Sequence, residues 1–278
     1  MNIRLSKFAI QALLGCTVIA LATPAMADST WSNLGSGGAS ACDSAGQGTM
    51  GNVLNCGSQS GVTLTAGAFS TGTGTITAPT TGTTFAAASL YNWGSAGLGV
   101  VAVNEDSTTT GPHAADNING VDAVRLSFSS AVTLKSATIG WNGTDNYTSN
   151  PTGTYSDSDI SVLAWTGPGT PGAVTGTTIG AASNGWTLVG NYADVGALTG
   201  NTTAVSSAIY SSYWLISAYS TAFGTGAGLT AGNDAFKLLG VSAATKPSGV
   251  PEPGSLALIG AGLAGLFIRA RRKQVQGV

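Results

Sequence analysis

Between residues 62 and 241 apolar and polar positions alternate in short runs, broken by glycine, proline, serine and asparagine. Val62-Thr63-Leu64-Thr65 has period two, the period of a strand with one buried face. Residues 85–93 and 98–103 read as strands. Residues 121–128 alternate strictly, and 132–141 follow across Ser129-Ser130-Ala131, which predicts a hairpin. Residues 159–165, 186–192, 213–219 and 235–241 bring the total to about ten strands. Asn142-Gly143, Pro168-Gly169 and Pro171-Gly172 supply turns between them. Residues 39–61 are rich in glycine and serine and read as a loop. No segment before residue 250 keeps a helical period over three turns. The pattern predicts an all-β protein with a single jelly-roll-like β-sandwich.

Both ends depart from that pattern. Arg4 and Lys7 precede an apolar stretch over 8–22, and Ala25-Met26-Ala27 is a small-x-small cleavage site. Residues 1–27 therefore read as a signal-peptide helix cut before Asp28. The competing reading is a lipobox at Leu13-Leu14-Gly15-Cys16, but cutting there would truncate the apolar stretch. At the other end thirteen apolar residues, 256–268, lie between Pro251-Glu252-Pro253 and the cations Arg269, Arg271, Arg272 and Lys273. As a helix this run reaches about 20 Å, short of a hydrocarbon core of about 30 Å. Gly260, Gly262 and Gly265 weaken it further. The four cations are expected to stay cytoplasmic, leaving the body outside.

The turn, apolar run and cationic end together resemble the PEP-CTERM sorting signal of Gram-negative bacteria. The resemblance implies processing near Pro251, Glu252 and Pro253 by an exosortase-type membrane enzyme. It also implies export through the inner membrane, tail anchoring, and transfer to the cell surface or extracellular matrix. The expected organisation is a signal peptide at 1–27, an extracellular β-sandwich domain at 28–241, a linker at 242–250 and a sorting and transmembrane segment at 251–273.

Charge narrows the partners. Charged residues are only 8% of the chain and glycines number 41, so serine, threonine, asparagine and glycine must cover much of the surface. The exported body has four cations (Arg125, Lys135, Lys237, Lys246) against eleven acids, a net −7. Such a body is unsuited to nucleic acid, whose binding needs cations to displace phosphate counterions. Exopolysaccharide or a divalent cation suits it better. Cys42 and Cys56 are the cysteines left after export, and an oxidising compartment predicts a disulfide between them.

The body has a resemblance of its own. It rests on Pro112-His113-Ala114-Ala115-Asp116-Asn117, Gly120-Val121-Asp122-Ala123-Val124-Arg125-Leu126 and Thr138-Ile139-Gly140-Trp141. Asp157-Ser158-Asp159-Ile160, Tyr213-Trp214-Leu215-Ile216 and Asp234-Ala235-Phe236-Lys237 extend it. These stretches look like the exosortase-dependent surface protein family. That likeness implies an extracellular β-domain and supplies no catalytic residues.

Asp116, Asn117, Asp122, Asp157 and Asp159 are candidate calcium ligands, since calcium takes hard oxygen ligands and carboxylates two apart on a loop can face one ion. Turn capping is the alternative use of the same side chains. Trp141, Trp165, Trp186 and Trp214, with Tyr147 and Tyr155, are candidates for stacking on sugar rings, Trp141 foremost; packing is their commoner use. A secreted hydrolase would have to use His113, the one histidine, and no Gly-x-Ser-x-Gly elbow accompanies it. The expected function is a non-enzymatic surface or matrix protein. The alternatives are a calcium-dependent, lectin-like carbohydrate binder and, behind it, a hydrolase.

Overall fold

The computed structural model describes residues 28–35, 40–71, 84–102, 113–118, 120–142, 158–171, 185–196 and 202–246, together with 260, 262, 263 and 265. Among the described residues thirteen strands run in chain order. They are β1 Asp28–Trp31, β2 Val53–Gln59, β3 Val62–Ser70, β4 Ala86–Ala87, β5 Ser89–Asn92, β6 Leu98–Val101 and β7 Ala115–Asp116. They continue with β8 Asp122–Asn142, β9 Ile160–Trp165, β10 Trp186–Tyr192, β11 Thr202–Ala204, β12 Ser211–Ala218 and β13 Ala235–Thr245. Every pairing is antiparallel. The protein is all-β and sandwich-like, as its alternation predicts. Residues 26–246 form one compact unit, and the two terminal segments are grouped apart from it.

The predicted hairpin over 121–141 is replaced by a single strand of 21 residues, β8. Its first half pairs with β3 and β12, from Asp122 to Phe128. Its second half, from Val132 onward, pairs with β13 and β11. Ser129-Ser130-Ala131 is the exposed crossing between two layers rather than a turn. The physical reason lies in the residues: the tripeptide has no glycine, asparagine or aspartate to favour the positive φ of a tight hairpin. Ser129 Oγ instead accepts the Thr63 N–H at 2.9 Å, which holds the chain extended beside β3. Facing parity changes once along the strand. Val124, Leu126, Phe128, Val132 and Leu134 point into the core, and then Ala137 and Ile139 do. A register shift between Ser242 and Ala243 of β13 absorbs the odd residue.

One layer follows the order β10-β9-β12-β8, continuing through β3 to β2. The other is built on β13, with β8 and β11 on one side and β1, β6 and β7 on the other. Trp31, Leu64, Leu126, Leu134, Ile139, Trp214, Ile216, Phe236 and Leu238 share the core between the layers. A smaller cluster of Phe69, Phe85, Leu163, Trp186, Leu215 and Phe223 covers the opposite face of the first layer.

Two segments differ from the sequence reading. Within the presumptive loop at 39–61, β2 alternates exposed Val53, buried Leu54, exposed Asn55 and buried Cys56. Strand β13 continues four residues into the expected linker. Ser242 through Thr245 pair with Ser136 to Val132, and Asp28–Trp31 covers their other edge. The two layers thus take in 242–245 because Ala243 and Ala244 are fully buried.

The terminal helices fall largely outside the described residues. In the tail, Gly260, Gly262, Leu263 and Gly265 are helical and exposed. Among the described residues no helix is long and apolar enough to cross a membrane. The signal peptide, Pro251, Glu252, Pro253, Arg269, Arg271, Arg272 and Lys273 lie outside the described residues.

Candidate functional site

Four of the five candidate calcium ligands converge, and a residue absent from the expected set brings them together. Asp234, immediately before β13, accepts the Asp159 N–H at 2.8 Å through Oδ1. Its Oδ2 accepts from the Asn117 Nδ2 group. Asn117 returns the contact, its Oδ1 accepting the Asp234 N–H at 2.9 Å, and also donates to the Tyr219 carbonyl at 2.7 Å. Asp159 holds two loops, accepting the Asp194 N–H at 2.8 Å and the Thr230 N–H at 2.7 Å on its two oxygens. Asp116 accepts the Ile118 N–H at 3.0 Å, and Asp122 accepts the Asp116 N–H at 3.3 Å. All five side chains are buried. Tyr219, beside them, donates its hydroxyl to the Gly224 carbonyl at 2.7 Å. Burial and the negative charge of Asp159 and Asp234 push that phenol above its usual range.

These carboxylates therefore act as acceptors for backbone N–H groups, most of them on loops outside the sheet, which is how buried polar backbone is satisfied. Asp157, the fifth expected ligand, lies outside the described residues. Among the described residues no group of three or more His, Cys, Asp or Glu side chains is disposed to hold a metal ion.

A second constellation was not legible as a unit in the sequence. Lys237 of β13 lies opposite Trp141 of β8, and its ammonium sits 4.8 Å from the Trp141 ring and 4.6 Å from the Trp93 ring. Trp93 in turn stacks on His113 at 5.4 Å and on Tyr91 at 5.9 Å, and His113 stacks on Tyr91 at 5.4 Å. His113 thus contributes a buried ring face to an aromatic group. Lys237 is only 7% exposed. Burial lowers its pKa to about 8, and among the described residues no carboxylate offsets the effect. The face of an indole carries negative quadrupole density, so two of them partly replace the lost water.

The loop bearing Trp93 is fixed by backbone contact. Asn92 Oδ1 accepts the Gly94 N–H at 2.9 Å, and the Trp93 N–H reaches the Gly97 carbonyl at 2.9 Å. Asn92 Nδ2 donates to the Cys42 carbonyl at 2.8 Å, next to the disulfide that joins Cys42 to Cys56. A Cβ at Gly97 would meet the Leu238 carbonyl at 2.6 Å, and one at Gly140 would meet the Ala96 carbonyl at 2.5 Å. Only glycine permits this loop to lie directly on β8 and β13, beside Lys237.

The other aromatic candidates have packing roles. Trp214 is fully buried and donates its indole N–H to the Ser211 carbonyl at 3.0 Å. Trp186 is buried in an edge contact with Trp165 at 5.5 Å. Tyr147 and Tyr155 lie outside the described residues.

No curated protein and no solved structure matches the chain. One family model does, and it covers the tail alone, from the last residues before the Pro-Glu-Pro turn to the end of the cationic cluster. The turn at Pro251-Glu252-Pro253, the apolar run and the cations through Lys273 fall within residues 249–273, which match the PEP-CTERM protein-sorting motif, so the chain carries a PEP-CTERM sorting signal.

Proposed function

We propose that this protein is a non-enzymatic surface or matrix protein, delivered as a folded β-domain and released when an exosortase-type enzyme cuts near Pro251-Glu252-Pro253. The sorting motif at 249–273 carries the reading, since it marks the chain for export, processing and the cell surface. An apolar run about a third shorter than a bilayer-spanning helix suits transient retention better than permanent anchoring. The use of the body's ionisable groups supports the non-enzymatic part. Asp159 and Asp234 accept backbone N–H groups, and the His113 ring stacks on Tyr91 and on Trp93. The matrix destination rests on an acidic, hydroxyl-rich body suited to hydrated polysaccharide.

Intact-mass measurement of protein released from cells tests the processing. The expected species starts at Asp28 and lacks the apolar run and cations beyond the Pro-Glu-Pro turn. Release of chains extending to Val278, in equal amounts with and without the processing enzyme, would overturn the proposal.

A further inference from the structure

We propose that the outer edge of β10 pairs with the same edge of a second copy of this chain, joining two bodies through one continuous antiparallel sheet. The inference goes beyond the sorting reading and does not depend on it. A contrast between sheet edges carries it. At the far end of the first layer β2 is closed by Asp43. The Asp43 N–H donates to the Asn55 carbonyl at 2.8 Å, and Asp43 Oδ1 accepts the Asn55 N–H at 3.2 Å. The Cys42–Cys56 disulfide ties Asp43 to that strand. Strand β5, beside β6, is closed in the same way by Asn52. Its Oδ1 accepts the Leu90 N–H at 2.7 Å and its Nδ2 donates to the Leu90 carbonyl at 2.9 Å. Gln47 Oε1 accepts the Asn92 N–H at 3.3 Å further along. These side chains stand where a foreign strand would bond. Strands β1, β4, β7 and β11 have only two to four residues, and very short strands are poor templates.

Strand β10 has no such closure. Its seven residues, Trp186–Tyr192, make an edge about 23 Å long and include no charge and no proline. Among the described residues it pairs with β9 alone, and no side chain bonds to its backbone. The Thr166 N–H donates to the Gly185 carbonyl at 2.8 Å, so the alternation of an antiparallel ladder turns the N–H and C=O groups of Trp186 and Leu188 outward. Leu188 is 39% exposed there. An unpaired row of this kind is a template for another strand. Its own properties select a second copy. Two identical antiparallel strands are related by a two-fold axis, so this edge is its own complement. The register shift between Leu188 and Gly190 bends the strand. A second copy brings the same bend, whereas a straight strand would match only one side of it. The uncharged strand also lets two bodies of net −7 meet without opposing charges in the ladder itself. Each dimer uses up both β10 edges, so assembly stops at two.

The test is sedimentation equilibrium of the full chain in mild detergent, from about 1 μM to about 1 mM protein. A monomer–dimer equilibrium is expected, and amide hydrogen exchange over residues 186–192 should slow as the dimer fills. Leu188→Lys puts a cation on the edge of both copies and should weaken the dimer about tenfold or more. Thr187→Lys, at a second exposed position of β10, is the independent variant if Leu188→Lys fails to fold. Val53→Lys makes the same change of charge at a 51% exposed position on the closed edge, β2, and should leave the dimer unchanged. Three outcomes would each overturn the proposal. One is a monomer throughout the range. Another is a dimer as strong in the β10 variants as in wild type, as contact through the tail or another face would give. The third is assembly that grows past two copies.

Discussion

Lys237 and Arg125 are two of the four cations of the body, and both lie against aromatic rings. Their energetics can be tested separately. For Lys237 the folded pKa, about 8, is below the unfolded value of 10.5. Between those values the unfolded chain binds more protons, so stability rises with pH. The penalty of the buried charge is fully present below about pH 8 and is relieved progressively up to about pH 10.5. After allowance for solvent screening, the gain should be about 1–2 kcal/mol. Urea unfolding at pH 7, 8.5 and 10 should show this rise in wild type relative to Lys237→Met. Identical pH profiles for the two would contradict it. Arg125 presents the same problem in a different form. Its guanidinium lies 5.2 Å over Phe69, and its Nε is buried without a hydrogen-bond partner among the described residues. Burial lowers its pKa. Replacing a desolvated, incompletely bonded charge by an apolar side chain of similar length is often neutral or stabilising. Arg125→Met is therefore expected to leave the urea midpoint unchanged or raise it by up to about 1 kcal/mol in stability, whereas Arg125→Ala should lower it through lost packing. At this scale the sequence was partly readable. The Asp116, Asn117, Asp122 and Asp159 group stood out because acids are few. Asp234, which joins them, and Trp93, which flanks Lys237, lie far along the chain from their partners, and no local spacing relates them.

Among the elements, period-two alternation located most strands, and β10 has the boundaries expected for it. Three of the elements that escaped did so for separate reasons. Strand β2 is embedded in glycine and serine, and four alternating residues, Val53 to Cys56, are a weak signal. Strand β1 is only Asp28–Trp31 and gains its identity from pairing with Val241–Ala244, a partner about two hundred residues away. The long strand β8 resembled two because its crossing segment is exposed and polar, as a turn would be. The importance of β1 is measurable. Trp31 is fully buried, packs edge-on against Phe128 at 5.3 Å, and sits in the core shared by both layers. Trp31→Ala should cost about 3–5 kcal/mol, the usual range for emptying a buried aromatic site. Its indole N–H has no partner among the described residues, so Trp31→Phe should cost clearly less. Chemical unfolding of both variants distinguishes this from a merely terminal, frayed strand, for which the two would match wild type. The disulfide stiffens the neighbouring element. It joins Cys56 on β2 to Cys42, fourteen residues earlier, and both are buried in the main core. On the chain-entropy estimate, reduction should remove about 3 kcal/mol. The exported protein should show no thiol to an alkylating reagent in denaturant until it is reduced; two labelled cysteines would refute the pairing.

At the scale of the whole molecule, the body closes on itself before the sorting signal begins. Its first strand and its last strand are paired, Asp28 with Ala244 and Trp31 with Val241, and β13 ends at Thr245. The compact unit ends at Lys246, and the sorting motif starts at 249. The buried aromatic and aliphatic residues that form the core all lie within 31–243. Among the described residues, every strand pairing, every core cluster and the hydrogen bonds that join Asp234 to Asn117 and Asp159 are formed within residues 28–246. A domain organised in this way should be indifferent to loss of its tail, which is what a processing route requires: the product released must be as folded as the precursor. Removing residues 251–278 is therefore expected to leave the thermal midpoint within about 2 °C, less than the shift a single kcal/mol produces in a domain of this size. The comparison is between the full chain and the truncated chain in the same detergent buffer, followed by circular dichroism at a strand wavelength. A midpoint several degrees lower in the truncated chain would show that the tail contributes to the fold, and would make release by cleavage a destabilising event rather than a neutral one.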